Sequence, residues 1–295
     1  MKTVIIGANG QLGSDCVLAF QKAGHEVAGL THQDIEIADE TSVADKLTSL
    51  SPGLVINTSA MHNVDACEKS PLQAFAVNAV GARNLARLSN ELGFVLIHIS
   101  TDYVFDGIKN APYLETDVPR PLNVYGNSKF AGEIFVQTIA RRYFVVRVSA
   151  IYGANPCRAK GGNNFIKLML KLARERGEVK VVDDELVSPT YTPDVANQLV
   201  RLSEAGAYGI IHSTANGSCS WYEFAEAIFR LTKTKVKLLR AAPGEFPMKV
   251  PRPKYSVLEN SALKRLGIDD MPHWSESLRE YLAASNLVQA VAGTS

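Results

Sequence analysis

The sequence predicts an α/β protein built on a doubly wound parallel sheet, with a smaller C-terminal α/β lobe. Three observations predict it. Short β-branched runs alternate with apolar-periodic stretches of helical length through the first half of the chain. A glycine-rich turn, Gly7-Ala8-Asn9-Gly10-Gln11-Leu12-Gly13, follows the first of those runs directly. Later runs end in small or polar residues, as strands do when their carboxyl ends border a ligand crevice.

The elements follow in order. Thr3 to Ile6 is a strand, and the glycine turn opens a helix that runs from Leu12 to a stop at Gly24. Glycines in this place let backbone N–H groups at a helix N-terminus face a pyrophosphate with no side chain between. Gly7, Gly10 and Gly13 are therefore candidate cofactor residues, although their spacing is G-x-x-G-x-x-G and not G-x-G-x-x-G. His25 to Leu30 is the second strand. Its tip reads Thr31-His32-Gln33, with neither acid nor arginine, which leaves NAD and NADP both open with a lean to NADP. Asp34 and Glu36 follow within reach of an adenosine.

Leu54 to Ala60 is a third strand, and Ser70-Pro71 starts a helix expected to run unbroken to Leu92. Phe94 to Ser100 is a fourth strand that delivers Thr101 to its tip. Tyr125 and Lys129 then stand one helical turn apart on one face. An ammonium near a phenol lowers its pKa, which makes Tyr125 a proton donor, with the Thr101 hydroxyl able to hold the same oxygen. Val145 to Ser149 is a fifth strand. In the second half we expect a helix after Gly161-Gly162-Asn163-Asn164, a strand at Val179–Val182, a helix from Thr192 to Glu204, a strand at Ile210–His212 and a capping box at Ser220-x-x-Glu223. Pro243 to Pro253 is too rich in proline for regular structure, and the tail after Leu287 is expected to fray. The domain reading is a Rossmann unit over 1–153, rejoined by 190–212, and a substrate lobe over 154–189 and 213–295.

Bulk properties narrow the function. At 295 residues and 46% hydrophobic, the chain can bury a large core. A net charge of +1 offers no basic stripe for nucleic acid. No apolar stretch approaches the roughly 18 residues of a membrane span, and the N-terminus reads as a strand instead of a signal peptide. Cys16, Cys67, Cys157 and Cys219 are scattered without a C-x-x-C pair, as expected of cytoplasmic thiols.

With these motifs in hand, the chain resembles the extended short-chain dehydrogenase/reductase superfamily, and within it the dTDP-4-dehydrorhamnose reductase family. The segments that carry the resemblance run from Gly10-Gln11-Leu12-Gly13 through Val64-Asp65-x-x-Glu68 to Ser100-Thr101-Asp102-Tyr103-Val104-Phe105-Asp106-Gly107 and Pro121-Leu122-Asn123-Val124-Tyr125-Gly126. Further on come Ser188-Pro189-Thr190-Tyr191-Thr192, Ser218-Cys219-Ser220-Trp221-Tyr222-Glu223 and Arg252-Pro253-x-Tyr255-Ser256-Val257-Leu258. The resemblance implies NADPH- or NADH-dependent reduction of the 4-keto group of dTDP-4-dehydro-6-deoxy-L-mannose to dTDP-L-rhamnose. It implies that Tyr125 protonates the alkoxide, that Lys129 binds the nicotinamide ribose and depresses the Tyr125 pKa, and that Thr101 holds the ketone oxygen. Asp102 would contact the sugar and Arg252 the diphosphate. Gly10, Gln11, Leu12, Glu36, Ile37, Ala60, Met61 and His62 would line the cofactor. A homodimer and Mg2+ enter from the family alone, and no carboxylate cluster places the metal.

Three departures bear on the substrate. Asn57-Thr58-Ser59-Ala60-Met61-His62 replaces the family's frequent Asn-Ala-Ala-Ala-Tyr/His-Thr, Ala150 stands where a Trp is frequent, and Glu185 replaces a frequent Gln. Among other residues, His62 reads as a cofactor-pocket residue, His98 as a packed core histidine, and Trp221 and Tyr222 as core anchors. Lys171, Arg174 and Arg176 read as a solvated helix face, and Asp183-Asp184-Glu185 as a turn. Two rival readings are a nucleotide-sugar epimerase or dehydratase, which would retain bound NAD+, and a non-catalytic nucleotide-binding regulatory subunit, which would have no need of Thr101, Tyr125 and Lys129.

Overall fold

Thr3, Val4, Ile5 and Ile6 are buried on both faces of the strand they form, the pattern of an interior parallel strand. The computed structural model describes residues 1–155, 164–242, 244–246 and 250–287. The first half runs β1 (Lys2–Ile6), α1 (Gln11–Lys22), β2 (Glu26–Leu30), α2 (Glu40–Leu50), β3 (Leu54–Asn57), α3 (Val64–Lys69), α4 (Pro71–Phe75), a π-turn (Ala76–Val80), α5 (Gly81–Leu92), β4 (Val95–Thr101), α6 (Val124–Ile139) and β5 (Tyr143–Val148). The second runs β6 (Ile151–Tyr152), α7 (Phe165–Arg176), β7 (Glu178–Val181), β8 (Leu186–Val187), β9 (Thr190–Tyr191), α8 (Thr192–Glu204), β10 (Gly209–His212), β11 (Cys219–Ser220), α9 (Trp221–Leu231), β12 (Lys237–Arg240), α10 (Ser261–Leu266) and α11 (Trp274–Ala284).

Six strands form one sheet in the order β10-β5-β4-β3-β1-β2, and every pairing in it is parallel. The order reverses between β1 and β3, and crevices for ligands open at such points. Register brings the strand ends together: Ile6 pairs with Leu30 and with Asn57, Asn57 with His98, and Thr101 with Val148.

Alternate residues of each strand feed two cores. Ile5, Ile56, Ile97 and Val146 pack with α1, α8 and α10, whereas Val4, Val55, Leu96 and Val145 pack with α2, α5 and α6. Ala262, Leu263 and Met271 belong to the first of these cores, so part of the segment read as substrate lobe packs on the sheet. A third core joins Tyr152, α7, β7, α9 and α11 beside the sheet.

The helix expected from Ser70 to Leu92 is interrupted by the π-turn. The cause is Asn78 inside it, whose amide accepts from Met61 N and donates to Met61 O and Ser128 Oγ, each at 2.9 Å. A local distortion of this kind aims one side chain out of the helical repeat. Cys157, Gly161–Asn163, Pro243, Pro247 and the tail 288–295 lie outside the described residues. Among those described, no helix is long and apolar enough to cross a membrane, and Cys16, Cys67 and Cys219 are free and buried.

Candidate active site

The turn after β1 is shaped by its glycines. Gly7 adopts φ +83°, and a Cβ there would stand 2.7 Å from Thr58 Oγ1. A Cβ at Gly13 would stand 2.1 Å from Gly7 O, so α1 approaches the turn as closely as only glycine allows. Gly10 is the N-cap of α1 and supplies no side-chain acceptor, and the first turn carries no acid. The helix N-terminus is thus left open to an outside anion, and the residues fit a dinucleotide pyrophosphate. Leu12 and Ile37 correct the sequence reading in one respect. Both side chains lie in the cores, Ile37 against Gly81, so only their backbones can border a cofactor. Glu36 accepts from Ala38 N and faces His32 at 3.3 Å at the outer end of the crevice. Ala60, Met61 and His62 follow β3, with Met61 fixed at both its backbone groups by Asn78 and His62 exposed.

The catalytic candidates meet at the ends of β4 and α6. Asn123 caps α6 by accepting from Gly126 N at 2.9 Å, and a cap of this kind contributes about 1 kcal/mol. Its Nδ2 also donates to Pro251 O at 2.9 Å, tying the start of the Tyr125 helix to the loop that carries Arg252. Glu68 Oε1 accepts from Val124 N at 2.8 Å. Gly126 and Gly132 let α6 lie close to its neighbours, since a Cβ at either would stand 2.3 Å from a backbone oxygen, of Tyr103 and Asn78 respectively.

Thr101 lies within hydrogen-bond reach of the Tyr125 hydroxyl and pulls its pKa down, but desolvation outweighs it and holds the phenol well above its ordinary value. The depression by Lys129 expected from the sequence is therefore not what this site displays. Lys129 Nζ is occupied elsewhere, donating to Ile99 O at 2.6 Å, with His98 Nε2 3.4 Å away. Burial lowers the Lys129 pKa to about 8, with Glu133 one turn on partly offsetting it. Burial therefore favours the protonated phenol at Tyr125.

Asp102 also departs from expectation. It is 4% exposed and enclosed by protein donors, with Thr101 Oγ1 and Ser149 Oγ each at 2.9 Å and Ser256 beside them. It orients Thr101 and has no face open to a sugar; burial raises its pKa. Arg252 Nε is a buried donor with no partner among the described residues. Burial raises the pKa of Tyr103 and of Glu185, and the guanidinium opposes the rise in both. Glu185 also bonds Trp221, which packs 4.6 Å from the Phe165 ring. Tyr222 is a core residue as expected, and Asp183-Asp184 forms a bend held by Ser220, Arg240 and Lys254. Among the described residues no group of three or more His, Cys, Asp or Glu could hold a metal, so no step is derived through Mg2+.

A family model described as the RmlD substrate binding domain matches residues 1–287. The chain belongs to that family. A relative in Bacillus subtilis strain 168, the spore coat polysaccharide biosynthesis protein SpsK, is 40% identical, with 95% of this chain and 96% of that protein covered. The dTDP-4-keto-6-deoxy-D-glucose reductase of Streptomyces niveus is 35% identical over 94% of this chain and 95% of its own. The crystal structure of dTDP-4-dehydrorhamnose reductase from Bacillus anthracis strain Ames in complex with NADP superposes with a TM-score of 0.91 at 37% identity, covering 96% of this chain and 99% of that one.

Sequence reasoning missed several residues that build this candidate site. Asn78 was hidden in what read as unbroken helix. Asn123 carried a visible signal, an Asn directly before a helix, but its bond to the Arg252 loop depends on contact between residues 128 positions apart. His98 is buried as expected, yet it borders Lys129 instead of merely filling space. Glu133 and Arg147 form a buried ion pair beneath the site.

Proposed function

We propose that the chain is an NADPH-dependent reductase of dTDP-linked 4-keto-6-deoxy sugars, acting on dTDP-4-dehydro-6-deoxy-L-mannose to form dTDP-L-rhamnose. One observation carries the reading: Thr101, Tyr125 and Lys129 come from the carboxyl end of β4 and the start of α6, between a glycine cradle fit for a pyrophosphate and Arg252, whose buried Nε has no partner among the described residues. A reduced nicotinamide, when bound, supplies the hydride. Gly7, Gly10 and Gly13 admit the pyrophosphate, while Ala60, Met61 and His62 form the wall that Asn78 braces. Tyr125 delivers its proton to the oxygen as charge develops there. Thr101, oriented by Asp102, steers the Tyr125 hydroxyl and meets the same oxygen. Arg252 takes the sugar diphosphate, and its tie through Asn123 links diphosphate binding to the start of the catalytic helix. Residues 1–153 with 190–212 carry the cofactor, and the remaining segments carry most of the sugar contacts. The enzyme works in the cytoplasm as a homodimer, which sedimentation of the purified protein would test.

The Streptomyces niveus relative favours a second substrate of the same class, dTDP-4-keto-6-deoxy-D-glucose. Ala150 and Glu185 stand where the family reads otherwise, on the sugar side of the crevice. Consumption of NADPH measured with both sugars separates the two. Tyr125→Phe is expected to lose at least about 100-fold in turnover with cofactor affinity retained. Near-normal reduction by that variant would sink the mechanism.

A further inference from the structure

Lys129 meets His98 in a geometry that fixes which proton lies between them. The backbone N–H of Ser59 can only donate, and it meets Asn57 Oδ1 at 3.2 Å. The Ser59 hydroxyl meets the same oxygen at 2.5 Å. The Asn57 amide oxygen is therefore turned to Ser59, and its NH2 faces His98 Nδ1 at 3.1 Å. A ring nitrogen that accepts from a donor carries no proton. A neutral imidazole carries one, so it sits on Nε2, 3.4 Å from Lys129 Nζ. Asn57, His98 and Lys129 are each at most 2% exposed, so water does not intrude on this order.

We propose that His98, locked by Asn57 as its Nε2–H tautomer, is a positioning residue that sets the proton state of Lys129. The His98 N–H favours the neutral amine, which can accept it, over the ammonium, which cannot. This deepens the reductase reading above, since it assumes Lys129 serves Tyr125.

The charges around the pair agree. Burial and Lys129 together hold His98 well below its ordinary value, so the ring stays neutral. Lys129 is lowered to about 8. From its own helix α6, Glu133 opposes that shift, and Arg147 from β5 in turn binds Glu133. From β4 comes His98, and from β3 the uncharged Asn57. Lys129 thus rests at the edge of ionisation instead of being permanently charged. Reduction consumes one proton: hydride forms the C–H bond, Tyr125 gives its O–H proton to the oxygen, and solvent returns a proton to the phenolate. A poised Lys129 takes up charge while that phenolate exists and releases it afterwards.

Nitrogen NMR of the ligand-free protein with labelled histidine tests the tautomer. The expected result is an unprotonated shift for His98 Nδ1 and a protonated one for Nε2 at neutral pH; the reverse pattern overturns the proposal. Asn57→Ala frees the ring to carry its proton on Nδ1 and to accept from the ammonium at Nε2. Carbon NMR of labelled lysine, with Lys129→Arg identifying the signal, should then show the Lys129 titration rising from about 8 by about one unit, tenfold in the amine–ammonium ratio. A titration that does not rise overturns it as well. If Asn57→Ala fails to fold, the histidine measurement on the unaltered protein decides alone. Neither readout uses a sugar, so a protein that shows both signals but reduces no ketone refutes the assigned function and leaves this inference standing.

Discussion

Arg147→Met tests the buried pair beneath the site. Arg147 and Glu133 are 1% and 0% exposed, and the guanidinium reaches both carboxylate oxygens, at 3.0 and 3.2 Å from Nε and 2.7 Å from Nη2. It also lies 5.1 Å from the Phe105 ring centroid, and Ser100 Oγ donates to the same carboxylate. Removing the arginine leaves the buried Glu133 side chain with Ser100 as its remaining hydrogen-bond partner among the described residues. Stranding a buried charge costs about 3–5 kcal/mol. Arg147→Met combined with Glu133→Leu strands none. Among the described residues it leaves Ser100, and His212 whose Nε2 lies 3.4 Å from Arg147 Nη1, short of a partner, about 1 kcal/mol for each. The double variant should therefore be more stable than Arg147→Met alone. Urea unfolding at pH 7, with the denaturant slope unchanged, measures both. A double variant as unstable as the sum of its two single changes would show that the pair does not act as one unit, and the reasoning would fail.

Three further outcomes follow from the site. Arg252→Ala should raise KM for the nucleotide sugar about 10–100-fold, the scale of a hydrogen bond to a charged group, with kcat little changed; a change confined to kcat would remove Arg252 from diphosphate binding. The kcat/KM for NADPH should fall as pH rises above about 8, because Lys129 loses its charge there, and a flat profile through that range would contradict the assignment. Burial and Arg147 hold the His212 pKa down, with Glu115 opposing them. The folded state therefore binds this proton less readily than the unfolded one. His212 contributes stability above the ordinary imidazole value of about 6.5 that is lost as pH falls below it. His212→Asn should flatten that part of the stability curve, leaving the Glu115 contribution at lower pH.

The sequence by itself determined the architecture and pointed to the candidate reacting groups. Parallel strands buried on both faces read as nearly continuous apolar runs, so the strands expected at Thr3–Ile6, Leu54–Ala60 and Phe94–Ser100 were legible without partners, although the second ends at Asn57 and the third starts at Val95. Gly7-x-x-Gly10-x-x-Gly13 was legible because only glycine permits the approach of α1 to Gly7 O, and Tyr125 and Lys129 because one helical turn places them together. What the tertiary structure decided was protonation and orientation. Whether Lys129 lowers the Tyr125 pKa depends on where its Nζ points, and Ile99 O on β4 draws it aside. Asp102 adjoins Thr101 in sequence but faces Ser149 and Ser256, which only folding brings near. Asn78, Asn123 and Glu133 gain their roles from partners far along the chain. A pattern can show that a residue is present at an edge of the sheet. Desolvation and hydrogen-bond direction, which set its chemistry, are properties of the packed surroundings.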